Sequence, residues 1–345
     1  MLLLKQNVAR SKAVGDWTLE PEFTDKVTLE NLSIYLSGIE ATHPKFGPVT
    51  GSAAELGTYP SDRAWYELIE RITLVENFTS DQNSYPLLNA DGSKTGRILG
   101  KEWVFPIAHS PEYQFSKSNG AALHRNWAEA CKRAAFELVE RHLILSSWVG
   151  LIRPLVTMEG AARSPLNSIR QLYEVKRVHF GAQKVTNMAT PVFVSGVALL
   201  PRNETAPLIL GFGAGESSRD SLRKAEEETF QRLGFLWGEE IPSVLPEFSP
   251  TNLYHQDYYL MPQQRDKIEG WLSGAFYKSP TQDIEPENTL SRTLDIHFVD
   301  LSLFAELELK VARAFCPEAI PLVFGKWRGR EFSDLPDSLL LHPIA

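Results

Sequence analysis

The sequence predicts an α+β protein in which long helices pack on mixed or antiparallel sheets. Two segments, 126–148 and 218–237, repeat apolar residues at helical spacing. Shorter runs at 176–180, 191–200, 208–210, 294–301 and 310–315 are β-branched, apolar and strand-like. The composition is that of a globular chain with material for a large core: 345 residues, 43% hydrophobic and 23% charged.

The first hundred residues are mixed and hard to read; residues 63–78 can form a helix with Trp65, Leu68, Ile69, Ile72 and Val75 on one side. The polar stretch 80–101 reads as a surface loop or hairpin. The helix over 126–148 takes Asn126 as its N-cap, and Glu129 stands where a capping box needs it. Its buried stripe is Trp127, Ala130, Cys131, Ala134, Leu138, His142 and Leu145. After the run 208–210, Gly211-Phe212-Gly213-Ala214-Gly215 reads as a turn whose backbone can approach a ligand. The helix over 218–237 follows, with Leu222, Ala225, Thr229, Leu233 and Leu236 inward. Residues 242–292, rich in Pro, Tyr, Gln and Ser, read as an insertion or loosely ordered connection.

The chemistry lies on the two long helices. Glu137 and Glu140 are three residues apart and Arg141 follows; Glu228 and Gln231 repeat the spacing and Arg232 follows. Residues at i and i+3 share a helix face. Asp220 opens the second helix. Mg2+ takes one or two carboxylates together with substrate phosphates, and arginine offers forked donors to phosphate oxygens. The pattern suits metal-assisted phosphoryl transfer. Its alternative is a pair of solvated helix faces. The repeated turn and acidic helix hint at an internal duplication, although the two copies share little sequence.

Other classes find less support. The net charge of −8 argues against a general nucleic-acid binder. Cys131 and Cys316 give neither a disulfide framework nor a metal-ligand spacing, so a reduced cytoplasmic setting is the default. No signal peptide or membrane span is read. The chain has no P-loop, no GxGxxG, no GxSxG elbow and no HExxH.

Ser118-Asn119-Gly120 with Ala128-Glu129-Ala130, Glu137, Glu140 and Arg141 resembles the first ATP-binding signature of the YcaO family. Gly213 through Asp220, then Leu222, Ala225, Glu228, Gln231 and Arg232, resembles the second. Pro48-Val49-Thr50-Gly51 resembles its early turn, and Val299-Asp300-Leu301-Ser302 with Val311-Ala312-Arg313 and Cys316-Pro317 its late strand pair. The resemblance implies a nonclassical ATP-binding fold over 45–326, with 1–44 a separate N-terminal segment, 242–292 an insertion and 327–345 a tail reaching toward the active site. It implies Mg2+ ligands at Glu137, Glu140, Asp220, Glu228 and Gln231. It implies ATP contacts from Ser118, Asn119, Arg141, Arg232, Lys45 and Arg313.

YcaO-like enzymes activate a peptide backbone amide with ATP. Azoline-forming members often end in a proline-rich tail, and Leu341-His342-Pro343-Ile344-Ala345 is similar to a reduced form of it, which marks His342 and Pro343 as catalytic candidates. The expected activity is a cyclodehydratase subunit acting on a ribosomally made precursor peptide to form thiazoline or oxazoline rings. A leader-binding partner subunit is expected, a homodimer is left open, and neither nucleic acid nor membrane is a partner. A thioamide- or amidine-forming enzyme and a catalytically idle peptide-binding scaffold are the alternatives.

Overall fold

The computed structural model describes residues 13–186, 188–277 and 289–344. It shows helices on largely antiparallel sheets, the class the sequence predicts. The chain opens with β1 (Ala13–Val14), β2 (Trp17–Leu19), β3 (Phe23–Leu29), β4 (Leu32–His43) and β5 (Gly47–Leu56), which form one five-stranded sheet. A boundary at residue 44 falls in the turn between two strands paired along their whole length, from His43–Gly47 to Ile34–Leu56. Strand β4 buries side chains on both faces, Leu32, Ile34 and Leu36 on one and Ile39 and Ala41 on the other, the latter against helix α1 (Ser61–Thr79). That helix covers the sheet with Leu68, Ile69 and Ile72, the stripe expected for 63–78.

The polar stretch that follows is a hairpin of β6 (Ser84–Leu88) and β7 (Lys94–Gly100), leading into the single turn α2 (Lys101–Val104). Next come β8 (Tyr113–Phe115), β9 (Ala121–His124) and the long α3 (Trp127–Trp148). Asn126 caps α3 by accepting the Glu129 N–H at 3.2 Å. A second sheet holds β10 (Leu155–Val156), β11 (Tyr173–Val185), β12 (Val192–Pro201) and β13 (Ile209–Gly215). Helix α4 (Ser218–Leu236) packs on it, and Ser217 caps that helix through the Asp220 N–H at 3.1 Å.

The glycine run 211–215, expected as a turn, belongs to β13 and pairs with β12 from Gly215–Phe193 back to Ile209–Leu199. Its glycines let a helix lie against the strand. A Cβ on Gly213 would stand 2.4 Å from the Ala225 backbone nitrogen, and one on Gly211 2.4 Å from that of Thr229. Gly211-Phe212-Gly213 is therefore a helix-packing groove rather than a ligand-cradling turn.

The stretch 242–292 contributes α5 (Asn252–Leu260) and α6 (Arg265–Leu272), and residues 278–288 within it lie outside the described residues. Trp271 of α6 is fully buried, with its ring 5.3 Å from Trp148 and 5.4 Å from Phe180. That part of the stretch is core. β14 (Thr289–Leu294) runs parallel to β11. β15 (His297–Asp300) and β16 (Lys310–Phe315) complete a sheet in the order β7-β6-β15-β16-β9. β17 (Val323–Gly325) pairs with β8, and the short α7 (Asp337–Leu340) precedes a buried tail in which Leu341, His342 and Ile344 are core residues.

Candidate active site

Three helices bring their acidic residues to one place. On α3, Glu137 and Glu140 face the interior, and Glu140 is only 8% exposed. Arg141 pairs with Glu140 at 3.1 Å and also faces Glu228 and Glu137. On α4, Glu228 turns one carboxylate oxygen to the Phe212 N–H of β13 at 2.8 Å. Arg232 is buried beside Glu228 and Arg141. The third helix is α1, where Glu70 accepts the Leu123 N–H of β9 at 2.8 Å and lies near Glu137. Glu67, one turn earlier, pairs with Arg71 at 2.5 Å.

Sequence reasoning missed Glu67, Glu70 and Arg71, although the signal was present. Glu67-x-x-Glu70-Arg71 repeats the spacing of Glu137-x-x-Glu140-Arg141 and of Glu228-x-x-Gln231-Arg232. The apolar stripe of that helix dominates its sequence signal and masks the acids on its polar side.

Backbone groups aim these acids. Gly120 takes a left-handed conformation (φ 70°), and its N–H donates to Glu137. That positive φ is the reason the Ser118-Asn119-Gly120 turn calls for glycine, since a side chain there would only reach ordinary contact with the Ala314 carbonyl and Leu138 at 3.4 Å. Glu70, Glu137 and Glu228 thus each receive one backbone N–H, which fixes the carboxylate plane and leaves lone pairs for a further partner.

The acids carry more negative charge than the protein alone supports. Burial, helped by the neighbouring Glu137, raises the Glu70 carboxyl to about 8. Burial raises Glu137 to about 7 against the pull of Arg141. Glu140 is raised by burial and by repulsion from Glu228 and Glu137. Such a cluster holds protons near neutrality and would exchange them for cations. Among the described residues, no three His, Cys, Asp or Glu side chains form a ready metal cage. Mg2+ takes one or two carboxylates and completes its shell with substrate phosphates and water.

A family model described as "YcaO cyclodehydratase, ATP-ad Mg2+-binding" matches residues 99–320, more than half of the chain. The chain belongs to the YcaO family. Its cofactors are ATP and Mg2+. Among solved structures it is similar to the YcaO from Methanopyrus kandleri bound with AMPPCP and Mg2+, at 17% identity and TM-score 0.55, over 87% of this chain and 86% of that one. It is also similar to a chain of the E. coli microcin synthetase McbBCD complex, at 10% identity and TM-score 0.52, over 88% of each chain. A further match is to the same complex with pro-MccB17 bound, at 11% identity and TM-score 0.51, over 86% of this chain and 88% of that one. At these identities the likeness is one of fold. No curated protein matches the chain.

The YcaO signature residues do not all fall in the cluster. Asp220 is held by Arg223 at 2.8 Å and Lys224 at 3.3 Å, two helical turns before Glu228. Gln231 accepts from Arg63 of α1 at 3.3 Å. Lys45 sits in the β4–β5 turn with its ammonium 5.2 Å over the Phe46 ring. Ser118 is exposed, and its carbonyl accepts the Ala121 N–H. Asn119 and Arg313 stand on the cluster's flank, where Arg313 faces Glu137, donates to the Lys117 carbonyl and lies 5.0 Å from the Phe105 ring. Burial lowers Arg313 to about 10.

The tail reaches the back of Arg141. His342 is 1% exposed, and its Nε2 donates to the Val323 carbonyl at 2.9 Å. Its own carbonyl accepts from His255 Nδ1 at 2.9 Å, and His255 Nε2 accepts the Gly325 N–H at 2.8 Å. Burial, the neighbouring His255 and Arg141 hold His342 well below the usual imidazole range. Pro343 is buried as well. The His342 ring lies beside Arg141, with Nε2 bonded to the Val323 carbonyl and Nδ1 buried without a hydrogen-bond partner among the described residues. Among the described residues no helix is long and apolar enough to cross a membrane.

Proposed function

We propose that this YcaO protein is an ATP- and Mg2+-dependent cyclodehydratase subunit that activates backbone amides of a ribosomally made precursor peptide and closes thiazoline or oxazoline rings. One observation carries the reading: three helices with the same acid-x-x-acid-or-amide-Arg spacing bring buried carboxylates together, Glu137, Glu140 and Glu228 around Arg141 and Glu70 beside Glu137. Glu70, Glu137, Glu140 and Glu228 hold Mg2+, and Arg141, Arg232 and Arg313 face phosphate charge. Gln231 serves α1–α4 docking, and Asp220 orders the start of α4. His342 and Pro343 are positioning residues that back Arg141.

When bound, ATP supplies the phosphoryl group that makes an amide oxygen a leaving group, and Mg2+ neutralises the charge around it. The protein keeps Glu137 and Glu140 deprotonated once cations arrive, and the Gly120, Leu123 and Phe212 N–H groups prevent the carboxylates from turning away. A Cys, Ser or Thr side chain of the peptide adds to the amide carbon. The amide oxygen departs as inorganic phosphate. Of the two protons lost, one from the nucleophile and one from the amide nitrogen, one leaves on the hydrogenphosphate and the other passes to solvent.

A leader-binding partner subunit fits this reading, since the E. coli relative in fold is a chain of a synthetase complex and is also known with pro-MccB17 bound. Binding energy gathered away from the reacting amide would position it. The deciding experiment is ATP consumption with and without a Cys- and Ser-rich precursor peptide and partner, followed by peptide mass. Loss of one water per ring supports cyclodehydration. Exchange of oxygen for sulfur points to a thioamide instead, and an unchanged mass with no peptide-stimulated ATP use would reject amide activation.

A further inference from the structure

We propose that the cavity on the flank of the carboxylate cluster seats an apolar residue of the substrate peptide, beside the amide that is modified; this rests on the amide-activation reading above. The cavity has a volume of about 590 Å³. Leu138, Asn119 and Arg313 line its inner end, and Leu138 follows Glu137 directly on α3. Arg313, which lines the cavity and faces Glu137, is the wall that the cavity and the acids share. Trp103, Ile107, Phe315 and Trp327 line it farther out. Trp103 stands edge-on to Phe315 at 6.4 Å, and Phe115 edge-on to Trp327 at 6.2 Å.

Its polar groups suit a peptide. Asn119 Oδ1 is buried and has no hydrogen-bond partner in the protein, so an acceptor at the inner end awaits an N–H. The Arg313 guanidinium is tied to the Lys117 carbonyl and the Phe105 ring. Glu102 is the one carboxylate among the described lining residues, so the metal-held phosphates belong on the other side of the shared wall.

The apolar surface also runs past the cavity. Trp103 and Ile107 are 60% and 63% exposed. Among the described residues β7 pairs only with β6, so its outer backbone edge is open to an extended chain. A nucleobase would fill the cavity and leave this strip unused, whereas a peptide uses both.

The test uses N-acetyl-4-fluorophenylalanine methylamide as probe, followed by 19F NMR on the full chain. Burial of a phenyl group predicts saturable binding that is about tenfold tighter than for N-acetyl-lysine methylamide. Trp103→Ala and Ile107→Asp, both on exposed positions, should each weaken probe binding about fivefold or more, with Mg·ATP affinity within about twofold of wild type. Displacement of the probe by adenosine or Mg·ATP, equal binding of the lysine analogue, or indifference to both variants would each overturn the assignment. Failure of the amide-activation reading shows separately, as a wild-type protein that takes the probe yet leaves ATP and precursor peptide unchanged.

Discussion

Arg63 of α1 donates to the side-chain oxygen of Gln231 on α4 at 3.3 Å. An amide placed by spacing among the metal ligands is therefore engaged in holding two helices together. Gln231→Ala should weaken Mg·ATP binding by no more than about threefold, a lost half-exposed hydrogen bond. Glu140→Gln should cost about a hundredfold or more, because it removes a ligand charge. Calorimetric titration of both variants checks this, and equal losses would return Gln231 to the metal.

The raised acids set opposite pH trends for binding and for stability. Glu70 and Glu137 hold protons up to about 8 and about 7, and Mg2+ must displace them. Mg·ATP affinity should rise about tenfold or more between pH 6 and pH 8, with proton release visible in buffers of different ionisation enthalpy. Without ligand the sign reverses. The folded state binds more protons than the unfolded one between the ordinary glutamate value and these raised values, so this contribution to stability falls as pH rises through the window. A flat affinity profile would contradict the cation-starved cluster.

The same electrostatics make Glu70→Gln informative. The variant should melt higher than wild type without ligand at pH 8, by roughly 1 kcal/mol or more in stability, since a buried repelled charge is gone. It should also lose most of the stabilisation that Mg·ATP gives the wild type. Differential scanning calorimetry with and without Mg·ATP measures both effects. A drop in unliganded stability would count against the assignment.

The His342 and His255 pair gives a third pH signature. Burial lowers His255 to about 4, and protonation of its Nε2 would break the bond from the Gly325 N–H. A depressed histidine contributes stability above its unfolded value of about 6.5 that is lost as pH falls toward its folded value. His342→Ala should cost about 2–4 kcal/mol by leaving a cavity and an unpaired Val323 carbonyl, and should flatten the acid side of the stability curve. Chemical denaturation from pH 4 to pH 7 tests it.

Much of this site can be read in the sequence, and the gaps have physical causes. The caps Asn126 and Ser217 and the apolar stripes locate α3 and α4, because helix ends and periodicity are local properties. Glu67, Glu70 and Arg71 repeat the same spacing, but the strong apolar face of their helix drew the reading away from its polar side. The strand at Gly211–Gly215 is invisible locally, since its glycines answer to the Ala225 and Thr229 backbone of a helix still to come. Trp271 shows the same limit: its polar, proline-rich surroundings suggest a loop, and only contact with Trp148 and Phe180 makes it core. Asp220 and Lys45 rest on family pattern alone, and their nearest side chains are Arg223 and Lys224 for the one and Phe46 for the other.

The carboxylates that meet at Arg141 come from positions 137, 140 and 228, and Glu70 lies beside Glu137, so the site ties α1 to α3 and α4. A ligand gripping all of them would behave as a rivet through three plates rather than a plug in a hole. Loaded protein should resist protease along the whole span from α1 to α4 at once, and its loss of ligand should be felt as a loosening of the entire body.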